Sequence, residues 1–335
     1  MNNSPYILAP ASVTAVMLKV LAALLPGIAV YVWIFGPGLL VQIVLATLTA
    51  LAAEAAMLAA RGRAPGRFLA DGSAIVTAWL IALTFPPIVP WWITVGGTAF
   101  AIVVAKHLYG GLGQNPFNPA MAGYAVMIVA FPALMSQWPA EGLTAATQIG
   151  LIFGAERALD AITAATALDA LRTGLHENAA TATVAGVMGA SPAFGHIAGH
   201  GWEWIAAAYL AGGLYLLQQR LITWHIPLAL LAGLALTALP FWLADPAHYA
   251  SPLFHLCGGA SLLGAFFIAT DPVSGATTPR GKLIYAAGIG LITWFIRTFG
   301  AYPDGIAFAT LLMNICVPFI DMKTQPPVFG RKDGR

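Results

Sequence analysis

Two short stretches of this 335-residue chain follow one pattern. Asp160 to Thr166 reads DAITAAT and Asp271 to Thr277 reads DPVSGAT, both Asp-x-x-[Ser/Thr]-x-Ala-Thr, in a chain with only 13 Asp and Glu. A short motif that occurs twice raises the question of which threonine, Thr166 or Thr277, is chemically special. A second cluster, GGLGQNPFNPAMAGY from Gly110 to Tyr124, holds two Asn-Pro pairs behind a glycine-rich stretch. Its backbone cannot enter a regular helix until about Ala120. Asn115 and Asn118 offer amide donors and acceptors to a ligand's polar edge, while Asn118 before Pro119 also fits a plain helix start. In the third cluster, RTFGAYPDGIAFATLLMNICVPFID, a short turn separates Arg297 from Asp304. A surface pair there would contribute little; beside an anionic cofactor Arg297 would act as a charge clamp.

These groups sit in a chain that is 59% hydrophobic and 8% charged, with a mean hydropathy of +0.80. Globular proteins carry about a quarter charged residues, so the chain is read as an integral membrane protein. The N-terminus has no basic region and no cleavage site, so its first apolar segment is expected to stay as a permanent span. Crossing about 30 Å of hydrocarbon takes roughly 20 apolar residues, and about ten segments qualify: 13–36, 37–60, 70–87, 88–106, 119–137, 202–219, 222–243, 252–270, 281–298 and 304–321. The fold expected is all-α, with a first five-span half (1–137), a long extracytoplasmic loop (138–201), a second five-span half (202–322) and a tail (323–335). Two halves with an odd number of spans would be inverted repeats, and DGSAIVTAWLIALTFPP from Asp71 echoes DGIAFATLLMNICVPF from Asp304.

Glu54 and Lys19 lie inside the second and first predicted spans, at depths where they could meet. Ionisable residues there read as candidates for an ion path, with snorkelling to the interface as the alternative. Cys257 and Cys316 lie in apolar runs without metal-ligand spacing and read as core thiols.

Charge placement separates the two threonines. With the N-terminus in the cytoplasm, 11 basic residues fall inside and three, Arg157, Arg172 and Arg297, fall outside, Lys19 set apart within its span. The positive-inside rule selects this orientation. Thr277 then lies in a cytoplasmic loop, where Asp271, Ser274, Thr277 and Thr278 all suit helix capping. Thr166 lies in the extracytoplasmic segment, whose middle predicts a short helix from about Ala167 to Leu171.

Together, GGLGQNPFNPA, ATDPVSGATTPRGKLIY and RTFGAYPDGIAFATLLMNICVPFID resemble a family of membrane subunits, over about Gly110 to Gly330. That family holds the D subunit of the Rnf ion-translocating oxidoreductase complexes and, more distantly, the B subunit of the sodium-pumping NADH:quinone oxidoreductase. The resemblance implies FMN joined through its phosphate to a threonine of a [Ser/Thr]-x-Ala-Thr motif in the extracytoplasmic loop. Here that motif is Thr163-Ala164-Ala165-Thr166, so the covalent flavin is assigned to Thr166; Asp160, six residues before it, would orient a metal or the transferring phosphate during attachment, with a solvated loop carboxylate as the equal alternative. The commoner spelling, Ser-Gly-Ala-Thr, ends at Thr277, but the flavin transferase that makes such bonds is exported and would not meet a cytoplasmic loop. The resemblance also implies a non-covalent riboflavin at Asn115 and Asn118. It places the chain in a bacterial inner-membrane complex with a second covalent-flavin subunit and iron–sulfur subunits, passing electrons between ferredoxin and NAD pools with Na+ or H+ translocation. No nucleotide fingerprint and no cysteine cluster occurs in this chain, so NADH oxidation and iron–sulfur chemistry fall to partners. No catalytic residue, metal site or nucleic-acid partner is expected here. The rival from another class is a flavin-free solute channel or transporter, which inverted repeats and broken helices would also suit.

Overall fold

The computed structural model describes residues 12–108, 114–155, 162–177 and 181–325. The first half supplies α1 (Val13–Phe35), α2 (Gly38–Ala60), α3 (Ser73–Thr84), α4 (Trp91–Leu108, π-helical over Ala101–Leu108) and α5 (Pro119–Ala130). The long segment folds as α6 (Ala145–Phe153), α7 (Ala167–Glu177) and α8 (Val184–Ala190). The second half supplies α9 (Trp202–Gln218), α10 (His225–Ala244), α11 (Pro252–Cys257), α12 (Ser261–Leu263, continuing as a π-helical turn Gly264–Ile268), α13 (Pro279–Phe299) and α14 (Ile306–Thr324). No named strand occurs among the described residues.

Six of these, α1, α2, α4, α10, α13 and α14, are long and apolar enough to cross a membrane. The other four predicted spans are shorter or broken. α3 and α5 have 12 residues each, about 18 Å at 1.5 Å per residue, and α9 has 17. Segment 252–270 breaks at Gly258–Gly259, where Gly259 takes φ +58°, a left-handed conformation that costs other residues steric strain. The echo between Asp71 and Asp304 is one of helix-start chemistry. Each Asp accepts the N–H two residues on, from Ser73 at 2.7 Å and from Ile306 at 3.2 Å, but the third and tenth segments are not equivalent places in two five-span halves.

Local signals explain the helix starts. Asn118, Ser251 and Thr278 each precede a proline and accept a backbone N–H from Met121, Phe254 and Gly281 at 3.2, 3.3 and 2.9 Å, so N-cap and Pro at the first position act together. The turn FPPIVPWW is held from below by buried Gln42, whose amide donates to Pro87 O and Val89 O and accepts from Thr94 Oγ1. In lipid, burial of apolar area gives helices little reason to associate, and close packing of small residues takes over. Gly212 of α9 meets α1 so closely that a Cβ would lie 2.1 Å from Ala23 O, and Gly290 of α13 meets α10 with a Cβ 2.2 Å from Leu230 O. Outward-facing Trp33, Leu48, Leu236, Leu243, Ile315 and Phe319 are exposed, as a lipid-facing surface requires. Cys316 is exposed on α14, so only Cys257, partly buried, approaches the core position expected of both.

Segment 138–201 is docked rather than a free loop. Gln148 of α6 accepts from Gly38 N and donates to Phe35 O, both at 2.8 Å, closing the α1–α2 turn. Ala167, Leu168 and Leu171 of α7 pack with Val184, Ala198, Ala250 and Phe254. The helix expected from about Ala167 is present and runs on to Glu177.

Candidate functional site

Thr166 stands at the N-terminus of α7. Its carbonyl accepts from Ala170 N at 2.8 Å and its Oγ1 accepts from Asp169 N at 3.3 Å, the geometry of an N-cap. Two bonds staple the preceding strand-like turn to the start of segment 138–201: Ala164 N donates to Trp138 O and Ala140 N to Ile162 O, each at 3.0 Å, with Thr163 opposite Pro139. Asp160 lies outside the described residues, as do Arg157 and the glycines of GGLG.

The Thr166 side chain borders a cavity of about 370 Å³ between the two halves, within the range of pockets that enclose small ligands. The first half contributes Tyr31 and Tyr124, the start of the long segment Trp138, and the second half Trp202, Tyr209 and Asp304. The wall is largely aromatic and aliphatic, and α7 adds Asp169 and Arg172. Burial raises the Asp169 carboxyl above its ordinary value, and the neighbouring Arg172 guanidinium opposes that shift. Arg172 Nε donates to Gly300 O at 3.1 Å. A second, more open hollow between α7 and α8 includes Asp169 and Glu177 but not Thr166.

Thr277 has different surroundings. Its N–H and hydroxyl both donate to the Asp321 carboxylate, at 3.0 and 2.8 Å; Ser274 Oγ donates to Asp271. Of the four residues expected to cap helix ends here, Thr278 caps α13 through Gly281 N, while Ser274 and Thr277 are held by carboxylates. The two motif threonines also lie at opposite ends of α13: Thr277 precedes its start at Pro279, whereas α7 contacts its end through Arg172 and Gly300. Twenty-one residues make about 30 Å of helix, the thickness of the hydrocarbon core.

The remaining predicted residues are dispersed. Asn118 Oδ1 accepts from Met121 N and its Nδ2 donates to Ile268 O, while Asn115 Nδ2 donates to Phe117 O. Both are buried and serve the entry into α5. Neither borders the cavity. Arg297 does pair with Asp304, at 3.0 Å, but not at the surface: it is 5% exposed and also donates to His255 O and Gly258 O. It caps the broken end of α11 while Asp304 accepts from Ala260 N at the start of α12, each charge answering the half-helix end it faces. Glu54 and Lys19 do not meet. Lys19 Nζ donates to Gln219 Oε1, and Glu54, 2% exposed, is held by Lys106 at 2.6 Å, with His107 Nε2 at 3.5 Å, beyond hydrogen-bond geometry. Lys106 also donates to Ser73 Oγ at 2.9 Å, and Arg61 donates to His107 O. The charge count places Lys106 among the 11 basic residues on the cytoplasmic side; its place in the run AIVVAKHL, behind five apolar residues, was the available signal of burial. Trp138, Trp202 and Tyr31 gave none, because aromatic residues are common throughout the chain.

Helix composition, the lipid-facing surface and six crossing-length helices define a multi-pass, all-α integral membrane protein. Residues 1–330 match the NQR2, RnfD, RnfE family, and the chain belongs to it. It is 50% identical over 333 residues to the D subunit of the ion-translocating oxidoreductase complex of Pseudomonas paraeruginosa, covering 98% of this chain and 95% of the relative. Proteins of the same name from Alcanivorax borkumensis and Vibrio cholerae are each 48% identical, over 99% and 98% of this chain and 96% and 98% of their own lengths.

Proposed function

We propose that this chain is the flavin-bearing membrane subunit of an ion-translocating electron-transfer complex, with FMN esterified through its phosphate to Thr166. Electrons pass between ferredoxin and NAD pools through partner subunits, including a second covalent-flavin subunit and iron–sulfur subunits, coupled to Na+ or H+ translocation across the bacterial inner membrane. Both termini are cytoplasmic and segment 138–201 is periplasmic, where the flavin transferase meets Thr166.

One observation carries this reading: Thr166 borders the cavity between the halves and lies at the far end of α13 from Thr277, whose hydroxyl is committed to Asp321. The residues fit the group. The hydroxyl lies at a helix N-terminus, where backbone N–H groups and the helix dipole favour a phosphate, and the cavity wall suits a planar ring. The bound flavin would supply one- and two-electron redox chemistry. The chain's own part is to tether it, exclude water with aromatic walls, and offset phosphate charge with the α7 terminus and Arg172. A non-covalent riboflavin at Asn115 and Asn118 rests on the resemblance alone, since the Asn118 amide is already engaged by Met121 and Ile268.

The test is made on protein produced alongside a flavin transferase. The band should fluoresce after denaturing electrophoresis, and the mass of FMN less water should map to the peptide containing Thr166. Thr166→Val should abolish the signal and Thr277→Val should leave it intact. A dark wild-type band would refute covalent flavinylation and favour the channel reading.

A further inference from the structure

The two tryptophans of the cavity both approach the chain around Thr166. Trp138 is bound to the motif through Ala164 N and its own carbonyl, at 3.0 Å. Trp202 is joined through Gly199, where a Cβ would lie 2.9 Å from Trp202 Cδ1 and 3.1 Å from the Ala167 Cβ; only glycine lets that indole approach the first residue of α7. The indoles meet edge to face, with centroids 5.1 Å apart and planes at 72°. Trp202 continues the contact to Tyr31 at 5.9 Å and to Phe35 at 5.4 Å. Tyr31 and Phe35 are buried, whereas both indoles remain only partly covered while lining the cavity. Two indoles in edge-to-face contact on the wall of the cavity that Thr166 borders, each side chain only partly covered, form a corner for a planar aromatic heterocycle.

We propose that Trp138 and Trp202 are the positioning residues for the isoalloxazine carried on Thr166, holding the ring in their corner of the cavity. This rests on the flavin assignment above. Aromatic rings prefer offset or edge-on contact, and the two indoles offer a heterocycle both. They thereby restrict a group that a single phosphoester would otherwise leave free to swing. An indole in ring contact also quenches flavin emission: it donates an electron to the excited ring and regains it, with no net chemistry.

Flavin content is first measured as fluorescence of the denatured band, then native emission is divided by emission after denaturation. In wild type the ratio should be low. Trp138→Phe and Trp202→Phe keep an aromatic ring but remove the readily oxidised indole, and each should raise the ratio several-fold at unchanged flavin content. Trp204→Phe is the control, because that side chain is 66% exposed and lies outside the cavity lining. Flavin circular dichroism should weaken in Trp138→Leu and Trp202→Leu as the ring loses its fixed orientation. A ratio unchanged in both Phe variants, with full flavin content, overturns the proposal; so does an equal rise in Trp204→Phe. A wild-type band without flavin refutes the flavin assignment instead.

Discussion

Arg297→Met removes four hydrogen bonds at one point in the fold: two to Asp304 Oδ1, one to His255 O and one to Gly258 O. Breaking a buried ion pair by deleting one partner costs about 3–5 kcal/mol. Asp304 is 21% exposed and keeps the N–H groups of Ala260 and Ile306, so the lower end, about 3 kcal/mol, applies to it. Each of the two carbonyls loses a donor at a net cost of about 1 kcal/mol, which brings the expected loss to roughly 5 kcal/mol. The assay is reversible unfolding in mixed micelles, followed by tryptophan emission for wild type and variant. Adding Asp304→Leu to Arg297→Met should recover about 2 kcal/mol, because it removes the stranded carboxylate. A loss below about 1 kcal/mol for Arg297→Met, the size of an exposed pair, would refute the reasoning and mean that water reaches the guanidinium.

Glu54→Ala strands Lys106 beside His107 and should cost about 3 kcal/mol in the same assay, whereas Lys19→Met, which loses one exposed bond to Gln219, should cost under about 1 kcal/mol; equal effects would contradict the pairing described. Asp169 has its carboxyl raised by burial, so its contribution to holding α7 is fully present below the unfolded value of about 3.9 and is lost as pH rises through the folded value. Amide-exchange protection of α7, corrected for intrinsic rates, should therefore fall over that interval in wild type and stay flat in Asp169→Asn; parallel profiles would disprove it. Changing Asn115 and Asn118 to Leu should remove the helix cap, at about 1 kcal/mol, and reduce the flavin released on denaturation while sparing the covalent flavin. Unchanged release from a folded variant would leave NPFNP as a helix start only.

Composition alone determined that the chain lives in a membrane, because so few charges and so long a series of apolar runs admit no soluble core. Residue order also determined the helix starts at Asn118 and Thr278, since a capping side chain before proline is a local signal. The periodicity after Thr166 marked the start of α7, expected to about Leu171, but not its run to Glu177. Partners distant in sequence were beyond such signals. Glu54 found Lys106 rather than Lys19, because three-dimensional packing sets which polar groups share one dry pocket. Hydropathy read 252–270 as one span, yet the fold breaks it where Arg297 and Asp304 satisfy both exposed half-helix ends. The cavity beside Thr166, and the two indoles paired in its wall, exist only once segment 138–201 docks across both halves. A one-dimensional pattern records what each residue prefers locally, while a cavity is set by what many distant residues leave unfilled.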